Sequence, residues 1–144
     1  MLLLSVSPLA LCGQPTRETG QTMNGLLWIA QLILAGVFLL VGVSKIVAYE
    51  KLVKVLEARS KTGPIGMSRG QAAVVGLLEI AGALGVIIPA YLGTPYFFVL
   101  LAAGGLALLM VAAGIYHLLR QESAAPSVAL FLLALFIIVG RWPR

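Results

Sequence analysis

Four long apolar stretches, each about the length needed to cross a lipid bilayer, constrain this chain more than any other feature. The first covers residues 26–43 and holds Gln31 as its single strongly polar residue. A helix of about 20 residues spans the roughly 30 Å hydrocarbon core of a membrane. With 60% hydrophobic and only 10% charged residues, the composition is also typical of a protein whose solvent is lipid. We therefore predict an integral membrane protein.

The pattern predicts an all-α fold, an integral membrane four-helix bundle with up-down-up-down topology. We place the spans at about residues 26–48, 70–88, 95–117 and 124–141. Because short turns join the later spans, consecutive helices are expected to pack as antiparallel neighbours. Residues 23–144 are expected to form this single transmembrane domain.

The first 22 residues do not fit this pattern, because their apolar part is short, contains Pro8 and has no preceding basic residue. We interpret residues 1–22 as an N-terminal extension, either not native or disordered, with the functional chain beginning at Met23. The single cysteine, Cys12, excludes an internal disulfide and a thiolate-built metal site. We predict no metal site.

The connection between the first two spans has an amphipathic pattern. Apolar residues recur there at i, i+3, i+4 and i+7, namely Tyr49, Leu52, Val53 and Leu56. This spacing places them on one helical face and predicts a short interfacial helix over about residues 49–62. The alternative is an unstructured, solvated loop.

Two helix starts have capping signals. Ser68 and Gln71 have the spacing of a capping box before the second span. Thr94 and Pro95 are expected to be the N-cap and the first helical residue of the third span.

Basic residues concentrate in the loop between the first two spans, residues 49–69. The loop contains Lys51, Lys54, Arg59, Lys61 and Arg69. The positive-inside rule then predicts a multi-pass protein of the cell (inner) membrane, with this loop cytoplasmic and both termini outward. Four aromatic residues at the opposite side form a predicted interfacial belt: Trp28, Tyr91, Tyr96 and Trp142. Since most of the net charge of +5 comes from one loop, it gives no indication of nucleic-acid binding.

Three ionisable residues, Lys45, Glu79 and His117, fall toward the same end of the predicted bundle. Such residues at membrane depth usually face one another or a cavity, so we predict an intramembrane polar cluster. In one interpretation Lys45 and Glu79 form a purely structural ion pair. In the other, Glu79 and His117 exchange a proton or grip a ligand. Ser44, Tyr116 and Arg141 are predicted to support the cluster.

Three segments of the chain, residues 28–46, 76–89 and 112–142, resemble the DoxX-like family of small four-helix membrane proteins. The family pattern places Ser/Gly-x-x-Lys at the end of the first helix and Leu-Glu in the second. It places Thr/Tyr-His at the end of the third helix and Gly-Arg at the close. These motifs correspond here to Gly42 with Lys45, Leu78 with Glu79, Tyr116 with His117, and Gly140 with Arg141.

The resemblance implies a limited set of functions. One branch of the family looks like a membrane subunit of a thiosulfate:quinone oxidoreductase, and other relatives are connected with oxidative-stress complexes or with the assembly of receptors. We expect an accessory membrane protein that binds a partner or a ligand, without catalytic activity of its own. The alternatives are a membrane subunit of a quinone-linked oxidoreductase, with quinone as the cofactor, and a small proton-coupled transporter. The expected partners are the lipid bilayer and a membrane protein or a second copy of the chain.

Overall fold

The computed structural model describes residues 17–59 and 67–142, apart from the side chains of residues 17–19, 56 and 59. Five α-helices follow one another in this part of the chain. They are α1 (Arg17–Val47), α2 (Tyr49–Arg59), α3 (Arg69–Tyr91), α4 (Phe97–Leu119) and α5 (Ala125–Arg141). Within these residues there is no strand, so the predicted all-α class is confirmed.

Three of the described helices are long and apolar enough to cross a membrane. They are α1 from Gly20 onward, α3 and α4, with 28, 23 and 23 residues. The apolar helix α5 has 17 residues, which corresponds to about 26 Å at the α-helical rise. Large apolar side chains point outward from these helices, such as Leu40 at 73% and Leu108 at 72% exposure. Such a surface is unfavourable in water and matches lipid.

The four longer helices enclose a common apolar core. α1 packs against α3 and α5, and α4 packs against the same two helices, while the short α2 packs against α1. Each long helix contributes at least one fully buried side chain: Leu34, Phe38, Val86, Leu106 and Ile137. Because lipid is as apolar as these side chains, close van der Waals contact between the helices is what stabilises the core.

α1 and α3 approach each other closely at two glycines. A Cβ atom on Gly42 would lie 2.7 Å from the carbonyl oxygen of Gly76, and the reverse substitution would give the same distance. Any side chain at either position would therefore push the helices apart. Glu79 packs beside Gly42 and Lys45 beside Gly76, with their Cβ atoms 3.3 and 3.2 Å from where a glycine Cβ would lie. The glycine contact thus brings these two charged residues together.

The order of contacts shows that α1 and α3 run antiparallel. Gln31 in the middle of α1 contacts Val86 near the end of α3, whereas Gly42 near the end of α1 contacts Gly76 in the first half of α3. Residue numbers therefore rise along α1 where they fall along the facing side of α3.

Two helix boundaries differ from the sequence prediction. α1 begins at Arg17, before the predicted start of the first span at residue 26, while residues 1–16 of the predicted extension lie outside the described residues. α3 continues through Pro89 to Tyr91. Pro89 is tolerated inside α3 because it lies in the final turn, where only two helical residues follow it.

The two capping predictions have opposite outcomes. The Ser68 side chain accepts a hydrogen bond from the Gln71 backbone and the Gln71 side chain accepts one from the Ser68 backbone, so the capping box is confirmed. The prediction for Thr94 is wrong, because α4 has Tyr96 as its N-cap, without a side-chain cap. The Thr94 hydroxyl instead donates to the carbonyl of Pro89 at 3.0 Å and closes the end of α3.

α2 forms where the amphipathic pattern predicts a helix. Leu52 and Val53 on its apolar face are half-buried, while Lys51 and Lys54 are exposed. The last three residues of the predicted helix, 60–62, lie outside the described residues.

Candidate functional site

Glu79 of α3 is the most buried of the described charged residues, with 2% exposure. Lys45 of α1 donates a hydrogen bond to its Oε1 atom, and the two side chains form an ion pair. The Lys45 side chain keeps 18% exposure, since a long apolar stem lets its ammonium group reach inward. A buried carboxylate is costly unless it is paired, and Lys45 supplies the compensating charge.

The second carboxylate oxygen of Glu79 has a different environment. Oε2 is buried, and none of the described residues donates a hydrogen bond to it. A buried acceptor without a donor costs about 1–3 kcal/mol. Such atoms are rare in native structures and usually mark a water, ligand or functional site. The described protein groups therefore satisfy only half of this carboxylate.

A second set of charged side chains lies at the end of α4. His117 Nδ1 is 2.9 Å from Glu122 Oε2, and Arg120 Nε donates to Glu122 Oε1 at 3.1 Å. Arg120 also donates to the hydroxyl of Tyr116 at 3.4 Å. The hydrogen bond to Glu122 raises the pKa of Arg120 above its ordinary value, so this guanidinium stays charged.

The turn after α4 creates this arrangement. Gln121 has a φ of 56°, in the left-handed region that residues other than glycine seldom occupy. The backbone N–H of Glu122 donates to the His117 carbonyl at 2.9 Å. The chain therefore folds back over the helix end and sets the Glu122 carboxylate beside the His117 ring.

A cavity of about 350 Å³ connects the two sets of charged residues, and we refer to it as the polar pocket. Lys45, Glu79 and His117, the three residues of the predicted cluster, all line it. Most of its wall is apolar, formed by Leu52, Val53, Met67, Ala72, Val75 and Leu109 among others. Its volume lies near the lower end of the range for small-molecule sites, about 300–1,000 Å³.

α2 forms one wall of the polar pocket. Tyr49 and Leu52 line the pocket from this helix, and the Tyr49 hydroxyl donates to the Met67 carbonyl at 2.6 Å. This hydrogen bond ties the start of α2 to the segment just before α3. Ala112 of α4 lines the pocket and is also exposed. The pocket therefore reaches the outer surface of the protein beside α4.

The residues of the predicted cluster make two separate contacts. Lys45 contacts Glu79, as the structural interpretation expects. His117 contacts Glu122 instead of Glu79, although His117 and Glu79 line the same pocket. Sequence reasoning missed Glu122 as a site residue. The available signal was a carboxylate in the short turn directly after His117.

The supporting residues have three different positions. Tyr116 lines the pocket and its ring lies 6.0 Å from the His117 ring. The Ser44 hydroxyl donates to the Leu40 carbonyl of its own helix at 2.7 Å, a local bond common for serine in helices. Arg141 lies away from the pocket and belongs to another group of residues, along the first half of α1.

That other group, which we call the arginine cluster, joins the end of α5 to the first half of α1. Arg141 is 8% exposed. It donates to Gln31 Oε1 through Nε at 3.2 Å and Nη2 at 2.8 Å, and to Asn24 Oδ1 through Nη1 at 2.9 Å. Its guanidinium carbon lies 5.6 Å from the ring centre of Trp28 and 5.5 Å from that of Tyr96. Aromatic faces and amide oxygens thus surround this cation.

Gln31 links the arginine cluster to α3. Its side chain is fully buried, and Nε2 donates to the Val86 carbonyl at 2.7 Å. This carbonyl lies in the last two turns of α3. Gln31 therefore uses its acceptor for α5 and its donor for α3.

An all-α chain with three helices able to cross a membrane, and with an ion pair buried between two of them, is a membrane protein. More narrowly, the profile of the DoxX-like family matches residues 29–139. This match covers more than half of the chain, so the chain belongs to the DoxX-like family. The matched part contains Lys45, Glu79 and His117 and ends before Arg141. Comparison with curated proteins and with solved structures gives no match.

Proposed function

We propose that this DoxX-like protein binds a small lipophilic molecule in the polar pocket and acts as an accessory membrane protein without catalytic activity of its own. The observation that carries this proposal is the cavity of about 350 Å³, in which a mostly apolar wall meets Lys45, Glu79 and His117. Pockets of this kind, with a few polar groups in an apolar lining, are the usual form of small-molecule sites.

A purely structural ion pair needs no cavity beside it. Small residues keep this cavity open, because Ala72, Ala112 and Ala113 line it where larger apolar residues would fill the space. The unsatisfied Oε2 atom of Glu79 belongs to a residue of the same lining. A bound molecule would fill the cavity and supply the missing hydrogen-bond donor.

Two matched substitutions test this proposal. Ala112→Phe places a large side chain at the pocket, whereas Ala129→Phe makes the same change at an exposed position on α5 outside its lining. We expect the native protein and Ala129→Phe to retain a lipophilic molecule through purification, detected by native mass spectrometry and by extraction. Ala112→Phe should retain about tenfold less, equivalent to a loss of about 1.4 kcal/mol. Equal retention in both variants, or none in the native protein, would contradict the proposal.

A second candidate function is quinone binding within an oxidoreductase complex. The observation that favours it is the proximity of hydrogen-bond donors to a proton-accepting pair in one pocket. The Lys45 ammonium and the Tyr116 hydroxyl can donate to quinone oxygens, and His117 with Glu122 can accept a proton. Short-chain ubiquinone and menaquinone should then bind to the purified protein, and His117→Gln should weaken that binding. A protein that binds neither compound counts against this function.

Proton-coupled transport is less well supported by the geometry. Leu34, Phe38 and Leu106 are fully buried and fill the core, so a substrate path across the bilayer would require them to move. Glu79→Gln, which removes the exchangeable carboxylate, should abolish proton-coupled uptake in vesicles if transport is the function. Unchanged uptake would exclude that role for Glu79.

The membrane arrangement is part of the proposal. We propose that α5 is a fourth span, that the spans alternate in direction as an up-down-up-down bundle, and that α2 lies at the membrane surface. The antiparallel contacts of α1 with α3 support it, as do those of α3 with α4, where Gly82 lies against Leu106 and Gly85 against Ala102. A membrane protein or a second copy of this chain is the partner that such an accessory protein would serve.

Cysteine labelling tests the orientation, with residues 49–69 cytoplasmic and both termini outward. Lys51 lies in α2, before the start of α3, and Tyr91 is the last residue of α3. Both side chains are exposed. In a Cys12→Ser background, a membrane-impermeant maleimide should label Tyr91→Cys in intact cells and Lys51→Cys only after permeabilisation. The reverse pattern would invert the orientation.

A further inference from the structure

The charged residues that line the polar pocket balance one another. Lys45 pairs with Glu79, and Arg120 pairs with Glu122, while His117 adds a charge only when it is protonated. We propose that the pocket selects a molecule with an uncharged hydroxyl head on a hydrocarbon body, and discriminates against acids and amines of the same length. This inference rests on the proposed ligand-binding function and specifies the chemical class of the ligand.

An acidic head group is disfavoured because of the position of Glu79. A carboxylate that binds Lys45 would have to share its ammonium group with Glu79, which is 2% exposed. The pocket would then contain three carboxylates, those of Glu79, Glu122 and the ligand, but only two permanent cations, Lys45 and Arg120, in a region of low dielectric. Uncompensated charge of this kind is strongly unfavourable away from water.

An amine is disfavoured for the complementary reason. The ammonium group of Lys45 already occupies Glu79 Oε1, so a second cation would approach the first at close range. At the other side of the pocket, Arg120 already pairs with Glu122. Like charges at short distance repel strongly where water does not screen them.

A hydroxyl group matches the hydrogen-bonding groups of the lining. Glu79 Oε2 is an acceptor with no donor among the described residues, and a hydroxyl can donate to it. The Tyr116 hydroxyl accepts from Arg120, so its own hydrogen is available for an acceptor oxygen of the ligand. A ketone or ester offers only the acceptor, and therefore satisfies Tyr116 but leaves Oε2 without a partner.

A matched series of ligands tests this inference in nanodiscs of the full-length protein. A diazirine-bearing tetradecanol is crosslinked to the protein, and 1-tetradecanol, 2-tetradecanone, tetradecanoic acid and tetradecylamine compete at equal mole fractions. We expect crosslinks in the polar pocket, and competition by the alcohol about tenfold stronger than by the acid or the amine, a discrimination of about 1.4 kcal/mol. The ketone should fall between them.

The outcomes separate this inference from the proposed function. Crosslinks in the pocket with the acid or the amine as the best competitor would overturn the choice of an uncharged head and leave ligand binding intact. Crosslinks spread over the lipid-facing surface, without competition, would overturn both. Crosslinks in the pocket with the alcohol as the best competitor would support both.

A charge change gives a second, independent readout. Glu79→Gln leaves Lys45 without its carboxylate and should shift the preference from tetradecanol to tetradecanoic acid by about tenfold. Glu50→Gln is the control, because Glu50 is exposed on α2 and does not line the polar pocket. If Glu79→Gln fails to fold, Glu122→Gln makes the same change of charge in the turn after α4. An unchanged order of competition in the folded variants would overturn the inference.

Discussion

The arginine cluster lies along the first half of α1 and the polar pocket at its C-terminal end, and both bury polar groups at the junction of several helices. In the arginine cluster the polar groups contact one another directly, with Arg141 held by Gln31 and Asn24 and enclosed by two aromatic rings. In the polar pocket an ion pair borders a cavity, and Glu79 retains an oxygen without a donor. The first arrangement fastens helices together, whereas the second has capacity for another molecule.

The largest expected effect comes from removing one member of the buried ion pair. Lys45→Met leaves the Glu79 carboxylate buried without compensation, which should lower the free energy of unfolding by about 3–5 kcal/mol. The double variant Lys45→Met, Glu79→Leu removes both charges and should recover most of that loss. Thermal unfolding in detergent measures both variants. A double-mutant cycle without coupling would show that the pair does not contribute to stability.

The next effect tests the glycine contact that positions this pair. Gly42→Ala places a Cβ atom 2.7 Å from the Gly76 carbonyl oxygen, and should cost about 1–3 kcal/mol through forced separation of the helices. Gly36→Ala is the control on the same helix, because nothing lies within 4 Å of the added atom. It should stabilise the helix by about 0.5–1 kcal/mol. Equal effects of the two substitutions on thermal stability would contradict the assigned close approach.

A loss of stability similar to or smaller than that of Gly42→Ala is expected from a change in the arginine cluster. Arg141→Met removes the donors to Gln31 and Asn24 and leaves a buried amide oxygen unsatisfied, at a cost of about 1–3 kcal/mol. Arg141→Lys keeps the charge but loses the planar fork that serves both acceptors, so it should recover little of that stability. Full recovery with lysine, measured by thermal unfolding, would show that charge alone matters at this position.

The smallest effect concerns the wall formed by α2. Tyr49→Phe removes the hydrogen bond to the Met67 carbonyl and should cost about 0.5–1.5 kcal/mol. Because Tyr49 lines the polar pocket, the variant should also bind the pocket ligand less tightly. Tyr91→Phe is the control, since that side chain is 80% exposed. If Tyr49→Phe and this control had the same stability and ligand retention, α2 would not contribute to the site.

The sequence was sufficient for the features that follow from local patterns. Hydropathy located the long apolar helices, the period of apolar residues located α2, and the Ser68 to Gln71 spacing identified a capping box that the structure contains. The grouping of Lys45, Glu79 and His117 at one end could also be predicted, because each position follows from its depth along a helix.

Other features depend on the conformation of a turn or on contacts between distant helices, and could not be predicted in this way. The partner of His117 is Glu122 because Gln121 adopts a left-handed conformation that turns the chain back. Arg141 contacts Gln31, which is 110 residues away in the chain. Thr94 has the residue type of an N-cap, yet the Pro89 carbonyl takes its hydroxyl. The partners of His117 and Thr94 thus depend on the conformation of a turn, and the partner of Arg141 depends on how α1 and α5 meet.

Ligand occupancy in two variants, measured by native mass spectrometry with added tetradecanol, tests most directly whether the two polar regions have different roles. The double variant Lys45→Met, Glu79→Leu should remain folded and lose the ligand, because its pocket has lost the carboxylate acceptor and the ammonium donor. Arg141→Met should be less stable and yet retain the ligand. The opposite pattern, with the ligand lost from folded Arg141→Met and kept by the double variant, would contradict the assignment of ligand binding to the polar pocket.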